Sequence, residues 1–278
     1  MSNNAPIFHV YNLTKIFYST RGNIVTETLA LDKVSVDIHD GEFNCILGPS
    51  GCGKTTLLQI LGGLQEASEG TLLFRGKEIH GPGMERGYIF QRFNLFPWLT
   101  AIENVMFGLK YMKIKSADQK EIAMEKLSLV GLTGFKDHYP SQLSGGMQQR
   151  VSIARTLAIN PEVYLMDEPF GSLDAQTRTR MQEELVALWQ ETDLHNKTIV
   201  FVTHDIREAV LLADRIILIT ARPGKVKSIL NIDLERPRDT FDTRYVEYTR
   251  EVLLQMEKEI ELALKDEMKA KENPNVSL

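Results

Sequence analysis

Gly48-Pro49-Ser50-Gly51-Cys52-Gly53-Lys54-Thr55-Thr56 is the stretch whose reading decides the fold. It fits G-x-x-x-x-G-K-[ST], follows the apolar run 43–47 and precedes the apolar run 57–61. Strand, glycine loop and helix in that order make a phosphate-binding loop. Glycines let the backbone N–H groups turn inward, and the helix adds its positive end. Lys54 is then expected to reach the β and γ phosphates and the Thr55 hydroxyl to ligate Mg²⁺. All nine residues form the candidate phosphate-binding set for ATP or GTP. A glycine-rich turn before an ordinary helix is the competing reading, set against a complete motif in its strand-to-helix setting.

Short apolar runs separated by turn signals predict strands at 7–11, 34–38, 43–47 and 71–74, a sheet-rich start. The period changes between 100 and 158, where 102–109 and 119–130 read as helices, so a helical insert interrupts the sheet. Strand and helix then alternate. Residues 163–166, 198–202 and 216–219 are β-branched and apolar, as in strands buried on both faces of a parallel sheet. Met181, Leu185, Leu188 and Trp189 follow the stripe of a helix packed on that sheet. Arg222-Pro223-Gly224 reads as a turn before a strand at 226–234. From Arg244 a charged helix is expected, with Leu253, Met256, Ile260 and Leu264 on one face and a frayed polar end from Glu272.

Over 278 residues, 43% of them hydrophobic, there is ample material for a core. The formal net charge of -5 provides no basic field for a nucleic-acid backbone, so no nucleic-acid partner is expected. Two cysteines, Cys45 and Cys52, match neither a disulfide framework nor paired zinc ligands and fit a reducing, cytoplasmic compartment. There is no apolar run of membrane-spanning length, and residues 1–6 lack the regions of a signal peptide. The chain is therefore expected neither to span a membrane nor to enter secretion.

A phosphate loop alone leaves kinases, GTPases and motor ATPases open. Val163-Tyr164-Leu165-Met166-Asp167-Glu168-Pro169 narrows the choice by placing two carboxylates at the end of a buried strand. In a parallel sheet that end faces the ligand crevice. Asp167 is expected to hold Mg²⁺ and Glu168 to polarise the attacking water. Leu143-Ser144-Gly145-Gly146-Met147-Gln148-Gln149-Arg150 opens a further helix, with Met147, Val151, Ala154 and Ala158 as its apolar stripe. Ser144 and two bare glycines at a helix start form a second anion cradle.

At this motif the chain resembles the ABC ATPase family, whose signature begins with the same Leu-Ser-Gly-Gly run. The resemblance implies that Ser144, Gly145 and Gly146 serve the ATP of an opposing subunit, so two ATPs are sandwiched in a head-to-tail dimer. Met147 departs from the more usual glutamine. Residue by residue, Gln91 resembles the Q-loop glutamine, which touches Mg²⁺ or its water. Ser172-Leu173-Asp174 resembles the D-loop, which joins the protomers at the nucleotide. His204 resembles the switch histidine at the γ-phosphate. Phe17 resembles the aromatic that stacks on adenine, although Phe17 and its neighbour Tyr18 read equally as core. The catalytic set implied is Glu168, His204 and Gln91, and the metal set Thr55, Gln91 and Asp167.

The resemblance implies an α/β fold: a P-loop ATPase core with a parallel sheet, an N-terminal antiparallel β subdomain and a helical insert at about 92–160. An ATPase domain over 7–240 and a charged C-terminal helix and tail over 241–278 follow. Phe96-Pro97-Trp98-Leu99-Thr100-Ala101-Ile102-Glu103-Asn104-Val105, Pro169-Phe170-Gly171-Ser172-Leu173-Asp174-Ala175-Gln176-Thr177-Arg178 and Ala221-Arg222-Pro223-Gly224 are similar to importer subunits for nitrate, sulfonate and taurine. The implied partners are a second ATPase subunit, identical or homologous, transmembrane permease subunits and a solute-binding protein, with the chain at the cytoplasmic face of the membrane. The alternative is an ABC ATPase without transport. With 53 residues from Gln91 to Ser144 and one P-loop, the chain has neither the coiled-coil insertion of repair members nor the doubled unit of translation members. A P-loop small-molecule kinase leaves residues 144–148 and His204 unexplained.

Overall fold

The computed structural model describes residues 5–21, 24–191 and 196–272. The chain divides into two compact units, residues 1–82 with 200–278 and residues 83–199.

In the first unit β1 (Phe8–Arg21) and β2 (Ile24–Ile38) pair antiparallel over their whole length, from Phe8 opposite Ile38 to Arg21 opposite Ile24. Sequence patterning shows only the inner ends of these strands. At the outer end Tyr18 and Val25 are exposed, so the ladder there is held by backbone pairing, which leaves no alternation of apolar residues to read. β4 (Glu69–Phe74) adds to the other edge of β1, with the Phe8 and Phe74 rings 5.1 Å apart, and β5 (Lys77–Glu78) closes the order β2-β1-β4-β5.

β3 (Phe43–Leu47), buried at all five positions, runs parallel to β9 (Arg215–Ile219). β10 (Val226–Asn231) pairs antiparallel with β9 and ends earlier than the expected 234: past Asn231 opposite Arg215, the first residue of β9, a last bond runs from Ile232 N–H to the Asp214 carbonyl at 2.8 Å and β9 offers no further partner. β8 (Thr198–Thr203), whose residues 200–203 belong to this unit, lies next to β3. Continuous burial along β3, β8 and β9 is the mark of strands covered on both faces. The helices are α1 (Lys54–Leu61), α6 (Ile206–Leu212) and α7 (Thr243–Glu272), with α7 packed on α6. On α7 the expected face is displaced. Over residues 243–265 Tyr245, Val252, Met256 and Glu259 are buried, so that of the expected face only Met256 points inward, whereas Leu253 and Leu264 are 48% and 50% exposed and Ile260 36%. Polar bonds from Tyr245 and Glu259 to the domain set the rotation, so an acid sits in the inward stripe and leucines look outward. The frayed end expected beyond Glu272 lies outside the described residues.

In the second unit β6 (Arg86–Ile89) and β7 (Val163–Asp167) pair in parallel, Arg86 opposite Val163 and Ile89 opposite Met166. α2 (Ala101–Leu109), α3 (Ser116–Leu129) and α4 (Gly145–Ala158) pack on one another, and α5 (Ala175–Glu191) follows β7. α2 opens with a capping box: Glu103 N–H donates to Thr100 Oγ1 at 3.4 Å and Thr100 N–H to Glu103 Oε2 at 2.8 Å. Of the stripes read from the sequence, Val151, Ala154 and Ala158 on α4 and Met181, Leu185 and Trp189 on α5 are buried, while Met147 and Leu188 are half-buried. The result is an α/β fold of buried parallel strands, an N-terminal antiparallel sheet and a cluster of helices between β6 and β7. Among the described residues no helix is long and apolar enough to cross a membrane.

Candidate nucleotide site

The first unit carries the phosphate loop. β3 delivers the chain to Gly48, and α1 begins at Lys54 with Gly53 as its N-cap at φ 102°. That conformation suits glycine, and a Cβ at Gly53 would stand 2.8 Å from the Ala30 carbonyl oxygen and from Leu31 Cδ2. No side chain caps α1 and no acidic residue occupies its first turn, so its N-terminal N–H groups and positive dipole end are directed at the loop. Lys54 is only 4% exposed, and its Nζ donates to the Gly48 and Pro49 carbonyls, both at 2.9 Å. The ammonium is thus held inside the loop, an arrangement that suits an anion. Cys52 is buried beneath it, while Ser50, Gly51 and Thr55 are exposed and Thr56 is partly so. Arg222, from the turn between β9 and β10, donates through Nε to the Gly51 carbonyl at 2.6 Å.

Phe17 and Tyr18 lie on β1, 37% and 63% exposed, so neither belongs to the core. Lys15 Nζ stands 5.2 Å from the centroid of the Phe17 ring. His204 is exposed directly after β8, where Asp205 N–H donates to Thr203 Oγ1 at 3.0 Å and the Asp205 carboxylate caps α6.

The second unit carries the acidic pair. β7 is buried at every position and ends on Asp167, to whose Oδ2 the Tyr88 hydroxyl donates at 3.3 Å. Burial, and then the Asp167 charge, push the Tyr88 phenol far above its ordinary range, so it stays a donor. Glu168 follows at φ 40°, a left-handed conformation unusual for a non-glycine residue. Its carbonyl accepts Gly171 N–H at 3.0 Å, and its Oε2 accepts Gln91 Nε2 at 3.4 Å. A Cβ on Gly171 would stand 3.3 Å from the Glu168 carbonyl oxygen and 3.5 Å from Oε2, so the bare glycine leaves this turn its room.

Ser144 caps α4, its Oγ accepting Met147 N–H at 3.3 Å. A Cβ on Gly146 would stand 2.8 Å from Thr177 Cγ2, and one on Gly145 3.6 Å from the Phe93 ring. Asp174 Oδ1 accepts Thr177 N–H at 3.0 Å, which starts α5 and holds the Asp174 carboxyl below its usual range. The start of α4, the start of α5 and the segment after Gln91 are therefore neighbours within this unit.

Three supporting residues received no role from the motifs. Arg155 donates to the Asn94 carbonyl at 2.8 Å and the Phe93 carbonyl at 3.2 Å, and burial lowers its pKa. Asn104 is fully buried on α2 and bonds the backbone of Phe96, Leu99 and Thr100. Tyr88 is the third. The signal available for Asn104 is a polar residue amid the apolar face of Ile102, Val105 and Leu109. Past Gln91 the chain leaves Trp98 69% exposed, while Phe96 packs on Phe107 with centroids 4.2 Å apart.

A family profile described as ABC transporter matches residues 31–171. An uncharacterised ABC transporter ATP-binding protein of Methanocaldococcus jannaschii is 51% identical over 256 residues, 92% of this chain and 93% of its own length. The nitrate import ATP-binding protein NrtD of Synechocystis sp. is 43% identical over 242 residues, 87% of this chain and 88% of its own. A solved dimeric, post-hydrolysis ATP-binding cassette with bound ADP and Pi superposes with a TM-score of 0.69 at 36% identity, covering 82% of this chain and 100% of that one. Together with a phosphate loop built on β3 and α1 and an acidic strand end at β7, these likenesses identify the chain as a member of the ABC transporter family, an ATP-hydrolysing, ATP-binding subunit.

Proposed function

We propose that the chain is the motor of an importer for a small solute such as nitrate, sulfonate or taurine. It works at the cytoplasmic face of the membrane as a head-to-tail pair with two sandwiched ATPs. The observation that carries the paired site is the presence of two uncapped or serine-capped helix starts with bare glycines, at α1 and at α4, in a chain with one phosphate loop. One nucleotide has use for one such cradle in its own chain, and the second suits a nucleotide held by a partner. The likeness to NrtD supports the importer group. Permease subunits and a solute-binding protein are the further partners, and the division into a domain over 7–240 and a tail over 241–278 belongs to the same reading.

Residues 48–56 hold the phosphates, with Lys54 neutralising β and γ oxygens, and Phe17 stacks on adenine. Thr55, Gln91 and Asp167 offer the hydroxyl, amide and carboxylate oxygens that a hard cation takes. Mg²⁺ would complete its coordination with nucleotide and water. When bound, Mg²⁺ supplies charge neutralisation at the phosphates. Glu168, with Gln91 on its carboxylate, orients the attacking water and accepts its proton. His204 contacts the γ-phosphate. Ser144, Gly145, Gly146 and Asp174 serve the partner's nucleotide.

Glu168→Gln tests the assignment. The variant should bind MgATP nearly as the parent does, lose hydrolysis by about 100-fold or more, and accumulate as an ATP-bound dimer in size-exclusion chromatography. Turnover at the parental rate would assign the base elsewhere.

A further inference from the structure

α7 lies outside every nucleotide motif, yet it buries a carboxylate. Glu259 is 7% exposed, accepts Ala221 N–H on Oε2 at 2.9 Å and accepts Lys227 Nζ on Oε1 at 2.8 Å. Burial pushes this carboxyl up, but the Lys227 and Ala221 bonds outweigh it and hold it below the ordinary glutamate range, so it is charged at neutral pH. Desolvating a charge is costly, and the two bonds are what make the placement tolerable. One ends on Ala221, in the turn that carries Arg222, and the other on Lys227, in β10 directly after that turn.

That turn closes on itself and on β2. Thr220 N–H donates to the Lys225 carbonyl at 2.9 Å and Thr220 Oγ1 to the Pro223 carbonyl at 2.9 Å. Gly224 N–H donates to the Ala30 carbonyl at 2.9 Å, and Asp32 N–H to the Gly224 carbonyl at 3.0 Å. Gly224 presses so closely on the phosphate loop that a Cβ there would stand 2.2 Å from the Cys52 carbonyl oxygen. From this platform Arg222 Nε grips the Gly51 carbonyl at 2.6 Å. Gly51, at φ 73°, has no side chain to hold its peptide in one orientation. In a trans peptide the N–H points opposite to the carbonyl, so pinning the Gly51 carbonyl holds the Cys52 N–H on the side of the Pro49 carbonyl, 3.4 Å away, to which Lys54 also donates.

We propose that Glu259 and Arg222 are positioning residues for the phosphate loop: Glu259 anchors the 220–225 turn from the C-terminal helix, and Arg222 on that turn fixes the orientation of the peptide between Gly51 and Cys52. Nucleotide affinity thereby depends on α7. The proposal rests on reading residues 48–56 as the loop that holds the nucleotide's phosphates, and its effect is preorganisation, so it acts on binding and leaves the chemical step alone.

The test measures Kd for MgATP and for ADP, and kcat at saturating ATP, on the full chain. Arg222→Ala, at an exposed position, should raise both Kd values about tenfold and keep kcat within about twofold. Glu259→Leu should act in the same direction, and Glu259→Gln, which keeps an oxygen for Ala221 N–H, should recover most of the affinity. The Arg222→Ala/Glu259→Leu double variant should bind no more weakly than Arg222→Ala alone, since both act through one peptide. Unchanged Kd values in Arg222→Ala, or effects that multiply in the double variant, would overturn the proposal. If Glu259→Leu does not fold, Lys227→Met, which removes the Lys227 bond to Glu259, takes its place in the cycle with the same expectations. Lys54→Ala separates the two failures. Normal binding in Lys54→Ala sinks the phosphate-loop reading itself, whereas abolished binding there with normal binding in Arg222→Ala sinks only the positioning role.

Discussion

Replacing Asn104 by leucine removes the clamp on the loop that follows Gln91 while keeping the side-chain volume. Asn104 is fully buried, and its Oδ1 accepts Phe96 N–H at 2.8 Å. Nδ2 lies within reach of three carbonyls, Phe96 at 3.2 Å and Leu99 and Thr100 at 3.0 Å, but its two hydrogens serve two of them at a time. Three bonds are therefore at stake, about 3 kcal/mol at about 1 kcal/mol each. Leucine at the same place offsets about 1.5 kcal/mol through apolar burial, leaving a net loss of about 1.5 kcal/mol. For a chain of this size that is a fall of about 3–6 °C in Tm. Urea denaturation and a thermal melt measure it. Trp98 reports the loop locally, because it is 69% exposed whereas the other tryptophan, Trp189, is 6% exposed and serves as an internal reference. Quenching of Trp98 should change while that of Trp189 does not, and ATP binding should stay within about twofold. A Tm within about 1 °C of the parent with unaltered quenching would show that residues 96–100 hold their shape without the clamp.

If the site is shared between chains, Lys54→Ala should abolish nucleotide binding in its own protomer, whereas Ser144→Arg should leave binding intact and block closure. Mixing the two variants would then restore at most one competent site per pair, and hydrolysis that stays first order in a demonstrably monomeric protein would rule the sandwich out. Trp98, an exposed aromatic on the loop after Gln91, offers an apolar grip to a helix of the proposed permease, so Trp98→Glu should leave folding and ATP binding intact and abolish co-purification with that partner, or the transport it drives; undiminished transport would show that Trp98 takes no part in the contact. Stability should fall in acid. The Glu103 carboxyl is lowered from 4.5 by the Thr100 N–H, and Asp174 from 3.8 by the Thr177 N–H. Glu259 is also lowered from 4.5, its two bonds outweighing the upward pull of burial. Each is depressed in the folded state, so its contribution is present above the ordinary value and is lost as pH falls through the folded one. Denaturation midpoints should be level from neutrality to about pH 5 and decline below about pH 4.5, and a rise over that lower range would contradict the direction of the shifts.

How much could be read in advance depended on how local the chemistry is. The phosphate loop and the cap of α4 are specified within a few residues: glycine's freedom of φ, a lysine at fixed spacing and a serine before two glycines act on their own neighbourhood. The parallel strands were legible because burial on both faces demands an unbroken apolar run. The outer β1–β2 ladder was not, since backbone pairing without burial leaves no pattern in side chains. Nor could the sequence orient α7. Its inward stripe and its exposed Leu253, Ile260 and Leu264 stripe lie side by side on one helix, and local periodicity weights leucine above glutamate. The choice was made by Ala221 N–H, 38 residues away along the chain, which together with Lys227 gives the buried Glu259 charge its partners. Sequence alone thus determined the glycine loop between β3 and α1. Which distant residues bond to that loop and brace its neighbouring turn was decided by tertiary structure, because a buried charge is worth keeping only where the fold brings its partners to it.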